Sequence, residues 1–433
     1  MTRLDMMVSP HIYTSLAKLR QFELFPALKE LEIPSLISIR PTDIPSLSLT
    51  PSPTLLAVSI REIVCPVQIY AASLLHDISP KSPNVHKIML EGELNSQCIA
   101  ALSGFSRLET LDLHLKLGNL STDNLTVLSN LEFLKYLDIQ MGKFSVFVLS
   151  QPNLAKLPFE SLENLSITSP ATPALNILQR VSPKVLKKVN LNFLCRGLDK
   201  NAASKCVAAL VELGKDILRD IKITSDGVLS PILRKDLRFL LEFSTQLESV
   251  ELDVTSMTNE TLNRLAGNKN LQTLKTLKIV SGYPPTEEKM TFPQVSELAS
   301  FASSLSSLKN LTIPVVLGLD EHNVQAMQKA VAETAKKPHP LETLTLIPLG
   351  NGKRTRFLRP ETSTVSNTTT LNAYVLARYL DHFFPCLTSI KAHSFQELDP
   401  SWCQAVLSLM LEFRKERQLV QDSEDLFFRM PTL

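Results

Sequence analysis

The chain has 433 residues, 44% of them hydrophobic and 20% charged, with ample apolar material for a continuous folded core. Forty-five basic residues against forty-three acidic ones leave a net charge of +2, which excludes nucleic-acid or membrane binding driven by net field alone. No stretch reaches the roughly 18 apolar residues needed to span a bilayer, and no signal-peptide pattern opens the chain. Six dispersed cysteines, Cys65, Cys98, Cys195, Cys206, Cys386 and Cys403, form no C-x-x-C pair. They read as mostly buried small hydrophobes in a reducing, intracellular (cytoplasmic or nuclear) setting rather than as a disulfide frame or zinc site.

Residues 1–27 read as a pre-repeat helix or cap. From Leu28 a short phrase recurs: a Leu or Val, two variable residues, a branched aliphatic, a variable residue, another apolar residue. Leu108-Glu109-Thr110-Leu111-Asp112-Leu113 is a clean copy. Thirteen copies begin at Leu28, Leu55, Val85, Leu108, Leu134, Leu162, Leu186, Leu218, Leu247, Leu274, Leu308, Leu341 and Leu387, spaced 23 to 46 residues apart. Alternation within the phrase predicts a strand with one buried face. Recurrence of the phrase along the chain predicts a leucine-rich-repeat solenoid over 28–392, an α/β horseshoe with a concave parallel β-sheet and convex helices. Few repeats carry the Asn or Cys that ties adjacent coils together, so the repeats should be irregular.

Between the phrases, helical spacing predicts helices over Ala202–Leu213, Asp236–Phe243, Thr258–Leu265, Val295–Leu305 and Glu321–Lys337, with Thr258 and Asn259 as N-cap residues. Cys206, Ala209, Leu210 and Leu213 share the inward face of the first. The longest gap, after Leu341, predicts an insertion loop over 347–371 that carries Lys353, Arg354, Arg356 and Arg359. Residues 393–433 read as a helical cap, with Trp402, Val406, Leu409 and Phe413 on one face of a helix from Pro400 to about Asp422. Six N-x-S/T triplets, at Asn119, Asn124, Asn164, Asn259, Asn310 and Asn367, read as chance in a chain without a signal peptide.

Val8-Ser9-Pro10-His11-Ile12-Tyr13-Thr14-Ser15-Leu16-Ala17, then Leu24-Phe25-Pro26-Ala27-Leu28-Lys29-Glu30-Leu31, resembles the segment that enters the repeats of fungal F-box/leucine-rich-repeat proteins. Leu49-Thr50-Pro51-Ser52-Pro53-Thr54-Leu55 and Ser82-Pro83-Asn84-Val85 resemble that family's following repeats. The resemblance is specific over about the first 115 residues and generic beyond. It implies the substrate-recognition part of a ubiquitin ligase. The F-box that would dock a Skp-type adaptor does not precede the repeats here, so adaptor binding is implied by kinship only and is not expected of this chain. A repeat protein with no ubiquitin link, as a truncated or degenerate product, is the alternative, followed by an enzyme or regulatory protein with unrecognised chemistry.

No phosphate loop, dinucleotide fingerprint, zinc-protease helix or nucleophile elbow occurs. The expectation is therefore a non-catalytic scaffold with no cofactor and no metal. Asp112 with His114 is the most suggestive acid–imidazole pair, but no nucleophile accompanies it. The variable strand positions supply the candidate protein-binding residues on the concave face: Asp112, His114, Tyr136, Asp138, Gln140, Lys188, Asn190, Asn192, Lys222, Glu251, Asp253 and Lys278. This polar set of mixed sign suits an unknown protein ligand better than a lipid or small-molecule cavity.

Overall fold

The structure is a computed structural model. It describes residues 3–5, 27–33, 35, 53–64, 67–116, 119–143, 145–148, 156–194, 199–214, 217–226, 246–254, 258–268, 271–281, 293–298, 301, 304–315, 321–333, 339–348, 367–392 and 400–428. The chain divides into two compact units, Met1–Pro231 and Ile232–Leu433.

The first unit runs β1 (Arg3–Asp5), β2 (Glu30–Ile33), β3 (Ala57–Ile63), α1 (Gln68–Lys81), β4 (Lys87–Gly92), α2 (Ser96–Ala101), β5 (Thr110–Leu115), β6 (Asn119–Ser121) and α3 (Thr122–Ser129). It continues through β7 (Tyr136–Met141), β8 (Val146–Val148), β9 (Leu157–Phe159), β10 (Asn164–Ser169), α4 (Ala171–Arg180), β11 (Val181–Pro183), β12 (Lys188–Phe193), α5 (Lys200–Gly214) and β13 (Asp220–Ser225). Nine of these strands form one parallel run in the order β1-β2-β3-β4-β5-β7-β10-β12-β13. The second unit holds β14 (Ser249–Val254), α6 (Asn259–Ala266), β15 (Thr276–Ser281), β16 (Asn310–Val315), α7 (Glu321–Glu333), β17 (Thr343–Pro348), α8 (Asn367–Phe383), β18 (Ser389–Ala392) and α9 (Pro400–Phe428). Its five strands are likewise parallel, in sequence order.

Every one of the thirteen phrases starts two residues before a strand, from Leu28 before β2 to Leu387 before β18. The phrase fixes this because its aliphatics must all fall on one face. Leu111, Leu113, Leu137, Ile139, Val250, Leu252, Leu311 and Ile313 are buried to within 1%. The fold is a leucine-rich-repeat α/β architecture: a parallel sheet with its aliphatic face covered by return segments. Neighbouring return helices pack on one another, α1 on α2, α2 on α3, α4 on α5, α7 on α8 and α8 on α9.

Register between repeats is set by the main chain. Among the described residues the carbonyl of the second residue of eleven of the thirteen phrases accepts two consecutive N–H groups from the next repeat. Glu109 O takes Lys135 N and Tyr136 N, both at 2.9 Å, and Lys135 O takes Glu163 N and Asn164 N in the same way. The pattern recurs at Lys29, Leu56, His86, Glu163 and Lys187, and in the second unit at Glu248, Lys275, Lys309 and Glu342. Side chains at these positions add a charge ladder outside it: Lys135–Glu109 at 3.0 Å, Lys187–Glu163 at 2.9 Å, Lys275–Glu248 at 2.6 Å and Lys309–Glu342 at 2.8 Å. These pairs are largely solvent-exposed, so water and salt screen them and each adds little to stability. The irregular Asn and Cys usage thus does not prevent regular stacking.

Several expectations are corrected. Residues 3–5 of the expected N-terminal helix or cap form β1, which extends the sheet beyond the first phrase, while 6–26 lie outside the described residues. The return path is not always helical: among the described residues between β7 and β10 it carries β8 and β9 instead. These belong to two small parallel pairs, β6 with β8 and β9 with β11. The helix expected over Val295–Leu305 opens as a 3-10 turn, Val295–Glu297, and Leu298, Phe301 and Ser304 are helical, while 299, 300, 302 and 303 lie outside the described residues; Val295, Leu298, Phe301 and Leu305 are all buried. The inward face of α5 is Ala203, Cys206, Val207 and Leu210, rotated from the expected one, with Ala209 and Leu213 only half-buried. The insertion after Leu341 is shorter than 347–371, since β17 extends to Pro348 and α8 begins at Asn367. The basic stretch at 353–359, the helix expected over 236–243 and the lysines at 336–337 fall outside the described residues.

The glycine at 92 closes β4 with φ +139°, where a Cβ would sit 2.1 Å from the Ile63 carbonyl oxygen. There β3 bulges, with Glu62 at φ +50°, so only glycine lets the two strands approach. At the far end, α9 lies against α8 and β18 and buries Cys403, Val406 and Met410, while Trp402, Leu409 and Phe413 are half-buried. Asp381, 2% exposed, anchors this helix: Arg414 Nε and Arg417 Nη2 donate to its Oδ1 at 3.1 and 2.7 Å. Arg414 Nη2 also donates to the Leu387 carbonyl at 2.8 Å.

Candidate functional site

Because strand side chains alternate, the residues between the buried aliphatics line the opposite, open face of the sheet. Parallel register sorts those of the first unit into rows. One row runs Ser59, Met89, Asp112, Asp138, Ser166, Asn190 and Lys222, each directly opposite the next. A second holds Lys87, Thr110, Tyr136, Asn164 and Lys188, and a third Glu91, His114, Gln140, Thr168 and Asn192. The sequence-selected residues of this unit therefore share one face. Glu251, Asp253 and Lys278 lie on the corresponding face of the second unit.

The centre of the first unit's face is acidic. Asp112 and Asp138 stand opposite one another, with Tyr136 two residues before Asp138 on the same strand. Burial pushes the Asp112 carboxyl above its usual range, nearby Lys87 pulls it back, and the charge of Asp138 raises it further. Tyr136 is raised by the same burial and then by the charges of Asp138 and Asp112. Asp138 is 8% exposed. Its Oδ2 accepts a hydrogen bond from Gln140 Nε2 at 2.9 Å and lies 3.9 Å from His114 Nε2. Its Oδ1 is buried and accepts nothing. The nearest imidazole contact of His114 is thus across the strand to Asp138, not to Asp112 as the sequence suggests.

Towards β13 the face turns neutral. Asn190 Nδ2 donates to Ser166 Oγ at 3.3 Å, while Asn190 Oδ1 has no donor. Thr224 Oγ1 donates to Asn192 Oδ1 at 3.3 Å. Lys188 is exposed and Lys222 half-buried. Towards β3, Glu91 is held below the usual carboxylate range by a hydrogen bond from Lys116, with burial opposing; Lys116 Nζ sits 2.7 Å away, and Arg61 bridges Glu91 and Glu32. Sequence reading overlooked these flanking ion pairs, because Arg61 and Lys116 sit at a bulge and just past a strand end, outside the repeated phrase.

On the second unit, Lys278 Nζ binds Glu251 Oε1 at 2.7 Å across adjacent strands. Among the described residues no group of three or more His, Cys, Asp or Glu side chains could hold a metal ion. No described helix is long and apolar enough to cross a membrane. Of the four described cysteines, Cys98, Cys206 and Cys403 are buried and Cys386 is exposed, and burial pushes the Cys206 thiol up to about 12.

No protein-family model and no curated protein matches the chain. Among solved structures it is similar to one in the yeast Rad7 and Elc1 complex, at 12% identity over 86% of this chain and 82% of that one, with a TM-score of 0.36. It is also similar to the leucine-rich-repeat-containing protein LegL7 of Legionella pneumophila, at 12% identity over 88% and 96%, with a TM-score of 0.34. An internalin of Listeria monocytogenes matches at 14% identity over 84% and 81%, also at 0.34. The leucine-rich-repeat assignment rests on the strand-by-strand match of phrase to sheet described above.

Proposed function

We propose that the chain is a non-catalytic protein-interaction scaffold whose recognition surface is the open sheet face of the first unit, centred on Asp112, Tyr136 and Asp138. The observation that carries this reading is a half-buried tyrosine beside two facing carboxylates, one of them with an unserved oxygen, on a face whose backbone is fully used by the sheet. Such a surface offers side chains only, and a large aromatic flanked by charges is the composition of an interface anchor. The narrower role, substrate recognition in a ubiquitin ligase, is supported by the resemblance of the first 115 residues to fungal F-box/leucine-rich-repeat proteins. Adaptor docking is no part of the proposal.

The test compares two variants of the full chain in affinity capture from cells that express it. Changing Asp112, Tyr136 and Asp138 together to Ala should weaken a captured partner by at least about 2 kcal/mol, the scale of an interface hot spot, with cooperative unfolding retained. Changing Lys205 and Glu212, exposed on α5, should leave capture intact. A partner that ignores the first variant and is lost with the second overturns the assignment.

A further inference from the structure

The deepest feature of the open face is the carboxylate pair. Asp112 and Asp138 lie side by side on neighbouring strands with no lysine or arginine bridging them among the described residues, whereas Glu91 and Glu251 each hold a lysine at 2.7 Å. A carboxylate oxygen withdrawn from water without a donor is costly, and two like charges in register add to the cost. Asp138 Oδ1 is such an oxygen. Its partner oxygen is already served by Gln140, so what the carboxylate lacks is one further donor.

We propose that Asp112 and Asp138 receive an arginine side chain presented by an extended segment of a partner protein, with the Tyr136 ring beside it. The proposal rests on the open face being the recognition surface. A guanidinium fits better than an ammonium because its donors lie in a flat, rigid fork that can serve two carboxylates at once, while its plane stacks on an aromatic ring. Another donor-less acceptor of the row, Asn190 Oδ1, lies two strands further on towards β13, roughly 10 Å at the usual strand spacing. An extended polypeptide covers that distance in about three residues. The segment therefore carries its arginine at one position and a neutral donor, side chain or main-chain N–H, three residues away. Lys188 and Lys222 border that end and disfavour a second basic residue there.

The experiment pans a random-peptide phage library on the full 433-residue chain and rebinds the selected peptides to variants. The expected pool holds arginine at a fixed position, with no lysine or arginine three residues from it. D112N and D138N, which keep side-chain shape, should each weaken the selected peptides about tenfold or more, equivalent to about 1.4 kcal/mol. Citrulline in place of the arginine should do the same, and the double change at Lys205 and Glu212 nothing. Thermal melts confirm that each variant is folded. Peptides without arginine that bind the wild type and fail on Y136A or N190A would overturn the arginine site while leaving the open face as the recognition surface. Peptides indifferent to every open-face change would sink both, and a library yielding no binder would overturn the arginine site.

Discussion

The two units use one repeat grammar and place different chemistry on it. In the second, the charges on the open face answer one another: Lys278 meets Glu251 across neighbouring strands. The positions beyond are apolar or small up to the last strand, with Thr312 opposite Thr345 and Pro314 and Ile347 both buried, and the row ends in the exposed Lys391. In the first, the central strands set carboxylate against carboxylate and leave Asp138 Oδ1 and Asn190 Oδ1 without donors. A face whose polar groups are mutually satisfied gains little from a partner. One with unserved acceptors gains the hydrogen bonds it lacks. Recognition is thus argued for one unit and not the other, even though the sequence offers similar polar residues on both.

The largest effect should be common to the two units and would break the idea of a shared grammar if it were not. Leu137→Ala in β7 and Leu252→Ala in β14 both remove a side chain at 0% exposure, and each should cost roughly 2–5 kcal/mol in chemical denaturation. A unit that tolerates its substitution would be held together by something other than the aliphatic ladder. Because each repeat leans on its neighbours, the measured loss should appear as earlier unfolding of the unit that carries the change.

A smaller effect distinguishes the faces by pH. Burial raises the folded-state pKa of Asp112, so the folded protein holds that proton more tightly than the unfolded chain does. Below the unfolded value, about 4, both states are protonated and no difference exists. As pH rises through the folded value, ionised Asp112 weighs against folding. Asp112→Asn should therefore raise the melting temperature relative to wild type at neutral pH, with the gain shrinking to nothing towards pH 4. A constant offset across the range would mean that the carboxylate's charge is not what distinguishes this face.

The smallest effect belongs to the satisfied face. Glu251→Gln with Lys278→Gln neutralises a pair that is partly open to solvent, with side-chain exposures of 23% and 37%. It should change stability by no more than about 1 kcal/mol and leave peptide binding untouched. A large loss of binding would move the recognition surface to the second unit.

The repeat strands were legible because a buried aliphatic pair every thirty or so residues has no other solution than a stacked sheet. Legibility failed where tertiary context overrode local pattern. Arg3–Asp5 contains a single aliphatic residue and becomes a strand only because β2 offers a free edge. Val295, Leu298, Phe301 and Leu305 keep helical spacing and are all buried, yet the segment enters as a 3-10 turn, Val295–Glu297, rather than as α-helix. For the candidate site, the alternation that sends Asp112, Tyr136 and Asp138 to one face could be read directly, since side-chain period in a strand is fixed. Which atoms lack partners could not. That His114 reaches Asp138, or that Gln140 occupies one oxygen and spares the other, depends on register and rotamer.

The shared-carbonyl rung at each strand entrance has a consequence for how such a chain can evolve. Lys29, Leu56, His86, Glu109, Lys135 and Glu163 all make it, so the joint between coils is indifferent to the residue that forms it. A whole repeat could be duplicated or excised and the new junction would close with the same two bonds. Each such event would lengthen or shorten every open-face row by one residue, altering the breadth of the reading surface without redesigning its support.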